Sequence, residues 1–113
     1  MRRQCYLAGK YSGTDDEIAE HLGKVLFAAM QLAQRAWFPI VPHCSMSHAT
    51  DWNVARLKDR MLLLRELDLK RDALVLLPEW EQSKGARLDR EWVHTLGLTI
   101  MTFQEALDAR PIM

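Results

Sequence analysis

Apolar residues recur along the chain at two different periods, and their alternation predicts the fold. Cys5 to Gly9 (Cys-Tyr-Leu-Ala-Gly) is a short apolar run closed by glycine. Periodicity alone does not separate a buried strand from a helix fragment over so few residues, but the position of the run at the start of the fold favours a strand. Lys10 to Thr14 then reads as a loop, and Thr14 with Glu17 three residues on makes a capping box that opens a helix. From there Ile18, Leu22, Val25, Leu26, Ala29, Leu32 and Ala33 recur at three- and four-residue spacing up to about Ala36, one apolar stripe of an amphipathic helix.

Phe38 to Pro42 is apolar and bracketed by prolines, which confine it to a short strand with limited ladder hydrogen bonding. His43 to Trp52 is polar, has no sustained period and reads as a loop. Asn53 can cap a second helix in which Leu57, Met61, Leu64, Leu67 and Asp68 share a face. Ala73 to Leu77 is apolar throughout, as a strand is when both faces of a parallel sheet are covered. Pro78 to Lys84 is a further loop, and Gly85 begins a helix carrying Leu88, Trp92, Thr95 and Leu96, with Gly97 placed for its C-terminal cap. Thr99 to Phe103 is the last strand, and Gln104 to about Ala109 a short closing helix.

The order β-α-β-α-β-α-β-α with short connections predicts right-handed crossovers and a parallel sheet of four to five strands with helices on both faces. Ligands sit beyond the carboxyl ends of the strands in such sheets. Three loops therefore come into question: Lys10 to Thr14, His43 to Trp52, and Pro78 to Lys84.

The chain has 113 residues, enough for one domain spanning 1–113. Fifteen Lys and Arg balance fifteen Asp and Glu, so no basic field draws in a nucleic acid polymer or an anionic membrane. Zero net charge gives little repulsion between copies and is compatible with a homo-oligomer. Two cysteines, Cys5 and Cys44, are too few for a disulfide framework, and Met1-Arg2-Arg3 leads into no signal-like run, which together suggest a reduced, cytoplasmic protein.

Several constellations bear on chemistry. Gly9-Lys10-Tyr11-Ser12-Gly13 lies between a strand and a helix N-terminus, where backbone N–H groups welcome a phosphate or carboxylate, although a plain glycine turn explains the same residues. Ser83 with the amides of Gly85 and Ala86 makes a second helix-start anion site, and Asp89 is placed to point back toward it as nucleophile or base. The plainer alternative for Asp89 and Glu91 is that acids near a helix start are favoured by its dipole. His43, Cys44, His48 and His94 complete no metal set, because adjacent side chains diverge and no second pair of ligands accompanies them; no cofactor is called for. His21 falls off the apolar stripe and reads as a solvated surface residue. Of four tryptophans, Trp52 and Trp80 sit in candidate edge loops where an indole can stack on a base, while Trp37 and Trp92 occupy core-like or subunit-contact positions.

Tyr6-Leu-Ala-Gly-Lys-Tyr-Ser-Gly13, Val41-Pro-His43, Asp72-Ala-Leu-Val-Leu-Leu-Pro-Glu-Trp80 and Ser83-Lys-Gly-Ala-Arg-Leu-Asp89, in that order, resemble the nucleoside 2-deoxyribosyltransferase-like superfamily. The resemblance is to its small bacterial and phage branch, related to the 2'-deoxynucleoside 5'-monophosphate N-glycosidases. It implies a flavodoxin-like, Rossmann-like three-layer sandwich, a homo-oligomer, and hydrolysis or transfer at the N-glycosidic bond of a nucleotide or nucleoside. The family's nucleophilic glutamate falls on Asp89, one methylene shorter, with Glu91 a fallback about 200° around the helix. Ser83 and Gly85 match the phosphate-contacting segment, Gly9, Tyr11 and Gly13 the first loop, and His43 the histidine after the second strand. The acid that relatives carry before the third strand falls on Leu64, and Asp68 stands in as its substitute. With that acid displaced, the alternative is a module that binds the nucleotide without cleaving it.

Overall fold

The computed structural model describes residues 3–10, 14–41 and 65–109. Four parallel strands form one sheet: β1 (Arg3–Ala8), β2 (Trp37–Ile40), β3 (Ala73–Leu76) and β4 (Thr99–Thr102), in the spatial order β2-β1-β3-β4. Helix α1 (Asp15–Gln34) connects β1 to β2. A 3₁₀ turn (Trp80–Gln82) and helix α2 (Lys84–Leu96) connect β3 to β4, and α3 (Phe103–Asp108) follows β4. The helix expected from Asn53 lies outside the described residues, apart from its end.

Local chemistry explains each boundary. Thr14 accepts from the Glu17 N–H while Glu17 accepts from the Thr14 N–H, so α1 starts on the capping box that its sequence spells. Ala36, at φ 68, makes the tight reversal into β2. Thr102 and Glu105 repeat the capping box at α3, and Gly97, at φ 81, closes α2 in the left-handed conformation that glycine adopts freely. Pro39 lies in β2, an edge strand, where a missing N–H leaves no gap in an interior ladder.

The sheet separates two apolar layers, as alternation along a strand requires. Cys5 and Leu7 of β1 and Ala73 and Val75 of β3 face α1 and α3, packing with Val25, Ala29, Leu32, Trp37 and Ala106. Tyr6, Ala8, Leu74 and Leu76 face the other way, against Ala86 and Val93 of α2 and against Leu67 and Leu98. The indole N–H of Trp37 donates to the Ala106 carbonyl at 2.9 Å, tying β2 to α3. Helices on both faces of an all-parallel sheet, as the alternation predicts, make this a flavodoxin-like, Rossmann-like sandwich, as the resemblance implies.

One expected element differs. Asp68 was expected on a helical face with Leu64 and Leu67, but the chain leaves the helix before it. The Asp68 carboxylate accepts from the N–H groups of Lys70 and Arg71 at 2.8 and 3.1 Å, a turn that competes with helix continuation. Asp72, fully buried, then fastens this turn to the sheet: its Oδ2 accepts from the Asp68 N–H at 2.7 Å and its Oδ1 from the Gln4 N–H at 2.8 Å.

Candidate functional site at the carboxyl edge

The chain passes from β1 to β2 on one side and on to β3 on the other, so the connections diverge between β1 and β3. A crevice at the carboxyl ends of two such strands is where α/β sheets bind ligands. The two strand exits are held together there. The Leu77 N–H donates to the Ala8 carbonyl at 2.9 Å, and a Cβ added to Gly9 would come 3.0 Å from Leu77 Cδ1 and 3.3 Å from Leu77 Cβ. A side chain at Gly9 would therefore crowd Leu77, which would have to give by a few tenths of an ångström at the top of β1. The Lys10 amine donates to Gln82 Oε1 at 3.2 Å, joining the first loop to the third.

Beyond β3 the backbone bends through Glu79, at φ 69, a conformation that non-glycine residues adopt at a cost, into the 3₁₀ turn of Trp80. Trp80 is half-buried, and the Arg90 guanidinium lies 5.6 Å from its ring centroid. An indole engaged by a cation on one side has only its remaining face for a base. Ser83, itself buried, caps α2 by accepting from the Ala86 N–H at 3.2 Å. That bond changes the expected anion site, since the Ala86 amide is already satisfied by the cap.

Gly85, Ala86, Asp89 and Val93 form the inward face of α2. Asp89 is 3% exposed, and its Oδ1 is wholly enclosed in the layer between α2 and the sheet. It lies six residues beyond the cap, about 9 Å along the helix from its start. Glu91, the fallback, is exposed on the outer side. Tyr6 shares the layer of Asp89: its hydroxyl is enclosed too, and its ring packs in the cluster containing Ala86 and Val93, the residues one turn to either side of Asp89. Sequence reasoning passed over Tyr6 because a tyrosine in an apolar strand reads as packing; the signal was a phenol on a strand buried on both faces, where a hydroxyl needs a partner.

The structure thus brings together Gly9, Lys10, Trp80, Ser83, Gly85 and Ala86 around one edge, with Asp89 buried further along α2 and in the lining of neither hollow described below. It does not bring Asp68, which lies ahead of β3 at the amino edge of the sheet, with its carboxylate engaged by its own turn. Tyr11, Ser12, Gly13 and His43 lie outside the described residues.

Among the described residues, two hollows open along the carboxyl edge. One, of about 330 Å³, is lined by Leu76 to Glu81 and by Thr102, Phe103 and Gln104. The other, of about 320 Å³, lies between α1 and the segment after β3, with Lys10, His21, Lys24 and Glu79 among its lining. His21 is accordingly half-buried in a cleft wall, with Nε2 enclosed, rather than the solvated surface residue that its place off the stripe suggested. Among the described residues no group of three or more His, Cys, Asp or Glu side chains is gathered to hold a metal ion. Among the same residues no helix is long and apolar enough to cross a membrane.

A family model described as "Domain of unknown function (DUF4406)" matches residues 3–102. No curated protein matches the chain.

Proposed function

The chain belongs to the DUF4406 family, and we propose that it hydrolyses or transfers at the N-glycosidic bond of a nucleoside 5'-monophosphate or nucleoside, in the manner of the nucleoside 2-deoxyribosyltransferase-like proteins that its motifs resemble. The observation that supports this most is the placement of Asp89. It is an acidic side chain turned inward, almost removed from solvent, in the layer between α2 and the sheet and on the helix whose start is capped by Ser83. Burying a carboxylate is costly, and a site that uses one is a ready reason to retain it.

On this reading the sugar lies with its anomeric carbon toward Asp89 and its phosphate toward the start of α2 and the loop after Gly9. The Asp89 carboxylate attacks C1', the C1'–N bond breaks, and the base departs with the bonding pair and takes up a proton. Water, or a second base, then attacks C1' and releases the carboxylate. The oxocarbenium character of both steps is stabilised by the negative charge of Asp89 in a site shielded from bulk water.

The second reading is a nucleotide-binding module without turnover. The position of Asp68 favours it, because the described residues then bring no substitute for the upstream acid to the carboxyl edge.

Chromatography of a panel of nucleotides and nucleosides incubated with the protein separates the two. Catalysis predicts release of free base, reduced roughly a thousandfold in Asp89→Asn with the fold retained by circular dichroism. Unchanged ligand after long incubation with both the native chain and Asp89→Glu, together with a ligand-induced rise in melting temperature, establishes the binding module and contradicts catalysis.

A further inference from the structure

The hollow between α1 and the segment after β3 has no part in the chemistry assigned to Asp89. Val25, Ala28 and Leu77 of its lining belong to the α1 side of the sheet, whereas Asp89 lies on the inward face of α2, on the other side. At about 320 Å³ it falls at the small end of ligand sites, which span roughly 300–1,000 Å³, and it suits a single ring with a short substituent. Phe27 and Phe103 both border it, and Phe27 is 63% exposed although Val25 and Ala28 on the same helix are buried. A phenyl ring left in water beside a hollow is apolar surface for an aromatic ligand to cover.

The charged lining is mainly cationic, with Lys10 and Lys24 against Glu79 as the one acid among the described residues. Neither ammonium group is fully engaged. Lys10 donates to Gln82 Oε1 at 3.2 Å, one bond for a group with three N–H donors. Lys24 meets Glu20 at 3.5 Å, but both side chains are 65% exposed, so water screens the pair and an incoming anion displaces it at little cost. Glu17, a further acid on α1, is held by the Thr14 N–H in the capping box. His21 is the independent observation. It forms part of the wall, and its Nε2 is enclosed with no hydrogen-bond partner among the described residues. A buried nitrogen without a partner costs free energy, and a carboxylate seated at this wall supplies one.

We propose that this hollow is a binding site for a small aromatic carboxylate, its ring against Phe27 and Phe103 and its carboxylate toward Lys10, His21 and Lys24. A cationic ring of the same size has Glu79 alone to meet it and two ammonium groups to oppose it. An uncharged ring leaves both ammonium groups and the imidazole unmatched. The proposal stands whether or not Asp89 acts on a glycosidic bond, because the two places share no side chain.

An amide-resolved NMR titration of the full chain with benzoate tests it, with benzyl alcohol and benzylammonium as comparators. The expected result is a saturable response along Lys10, His21 to Ala28, Leu77 to Glu79 and Phe103, with a dissociation constant of about a millimolar. Benzoate should bind roughly tenfold more tightly than benzyl alcohol, and benzylammonium more weakly still. Lys24→Gln and Phe27→Ser should each weaken benzoate roughly threefold or more, while Glu20→Gln, which releases Lys24, tightens it. Lys24 and Phe27 stand in solvent, so far-UV circular dichroism should stay unchanged in these variants. The absence of a saturable response along this lining, binding of benzylammonium or benzyl alcohol as tight as that of benzoate, or an affinity indifferent to all three substitutions overturns the proposal.

Discussion

Ala36 holds φ 68 with a side chain, a conformation that costs an L-residue about 1 kcal/mol and glycine little. Ala36→Gly should therefore be neutral or stabilising by up to about 1 kcal/mol in urea unfolding, whereas an ordinary Ala-to-Gly change in a helix destabilises by a similar amount. A clear loss of stability would show that the methyl packs in a way its backbone strain conceals. Cys5 presents the opposite case, a group constrained by its surroundings. It is fully buried, and that burial, reinforced by the nearby Asp72 carboxylate, pushes its thiol up to about 12. The thiolate is the reactive form. In a Cys44→Ser background the native protein should accordingly leave a thiol reagent unconsumed until it unfolds. Rapid labelling at neutral pH would contradict the packing of β1. At this scale the sequence was least informative, since neither the enclosed phenol of Tyr6 nor the cleft-facing imidazole of His21 follows from residue type or helical phase. Each depends on which segment the fold lays against it.

Elements were more legible, because their signals are local. The Thr14–Glu17 pair, the glycine at position 97 and the uninterrupted apolar run from Ala73 state where a helix begins, where one ends and where a strand is covered on both faces. At α3 the boundary was read one residue late, with Phe103 in the strand, because the Thr102–Glu105 capping box that starts the helix there went unused. Asp68 was misplaced for an equally local reason, as helical phase extends a stripe through Leu67 while the aspartate side chain captures the next two amides and turns the chain. These bonds set a pH dependence. The carboxyls of Glu17 and Glu105 lie below the ordinary glutamate value chiefly because the Thr14 and Thr102 N–H groups donate to them, and Asp68 lies low chiefly through the Lys70 N–H. A carboxyl lowered in the folded state contributes stability that is fully present above its unfolded value, near pH 4, and is lost as pH falls through the lower folded value. The melting midpoint should thus be insensitive to these three groups at neutral pH and decline in acid. The decline should be shallower in the Glu17→Gln, Glu105→Gln double variant; an identical acid profile would show that these caps are not populated in solution. Ser83→Ala, removing the cap of α2, should cost about 1 kcal/mol in urea unfolding.

For the whole molecule, alternation of strand and helix sufficed to foresee a parallel sheet between two helical layers, because short connections between parallel strands leave few other arrangements. It did not determine how the edge would be furnished. The Ser83 cap uses the Ala86 amide, Arg90 lies against the Trp80 ring, and Tyr6 joins Asp89 in the α2 layer, all consequences of the separation between α2 and β1 that a linear pattern does not encode. The account rests on Asp89 working from inside that layer upon a ligand held at the edge. Its most direct test is an amide-resolved titration of the protein with a nucleoside 5'-monophosphate, followed by NMR in the native chain and in Asp89→Asn. The predicted result is a set of shifts concentrated at Gly9, Lys10, Tyr6 and Ser83 to Asp89, with base released only by the native chain. Shifts confined to the α1 face, or no response from the α2 edge at saturating nucleotide, would contradict it.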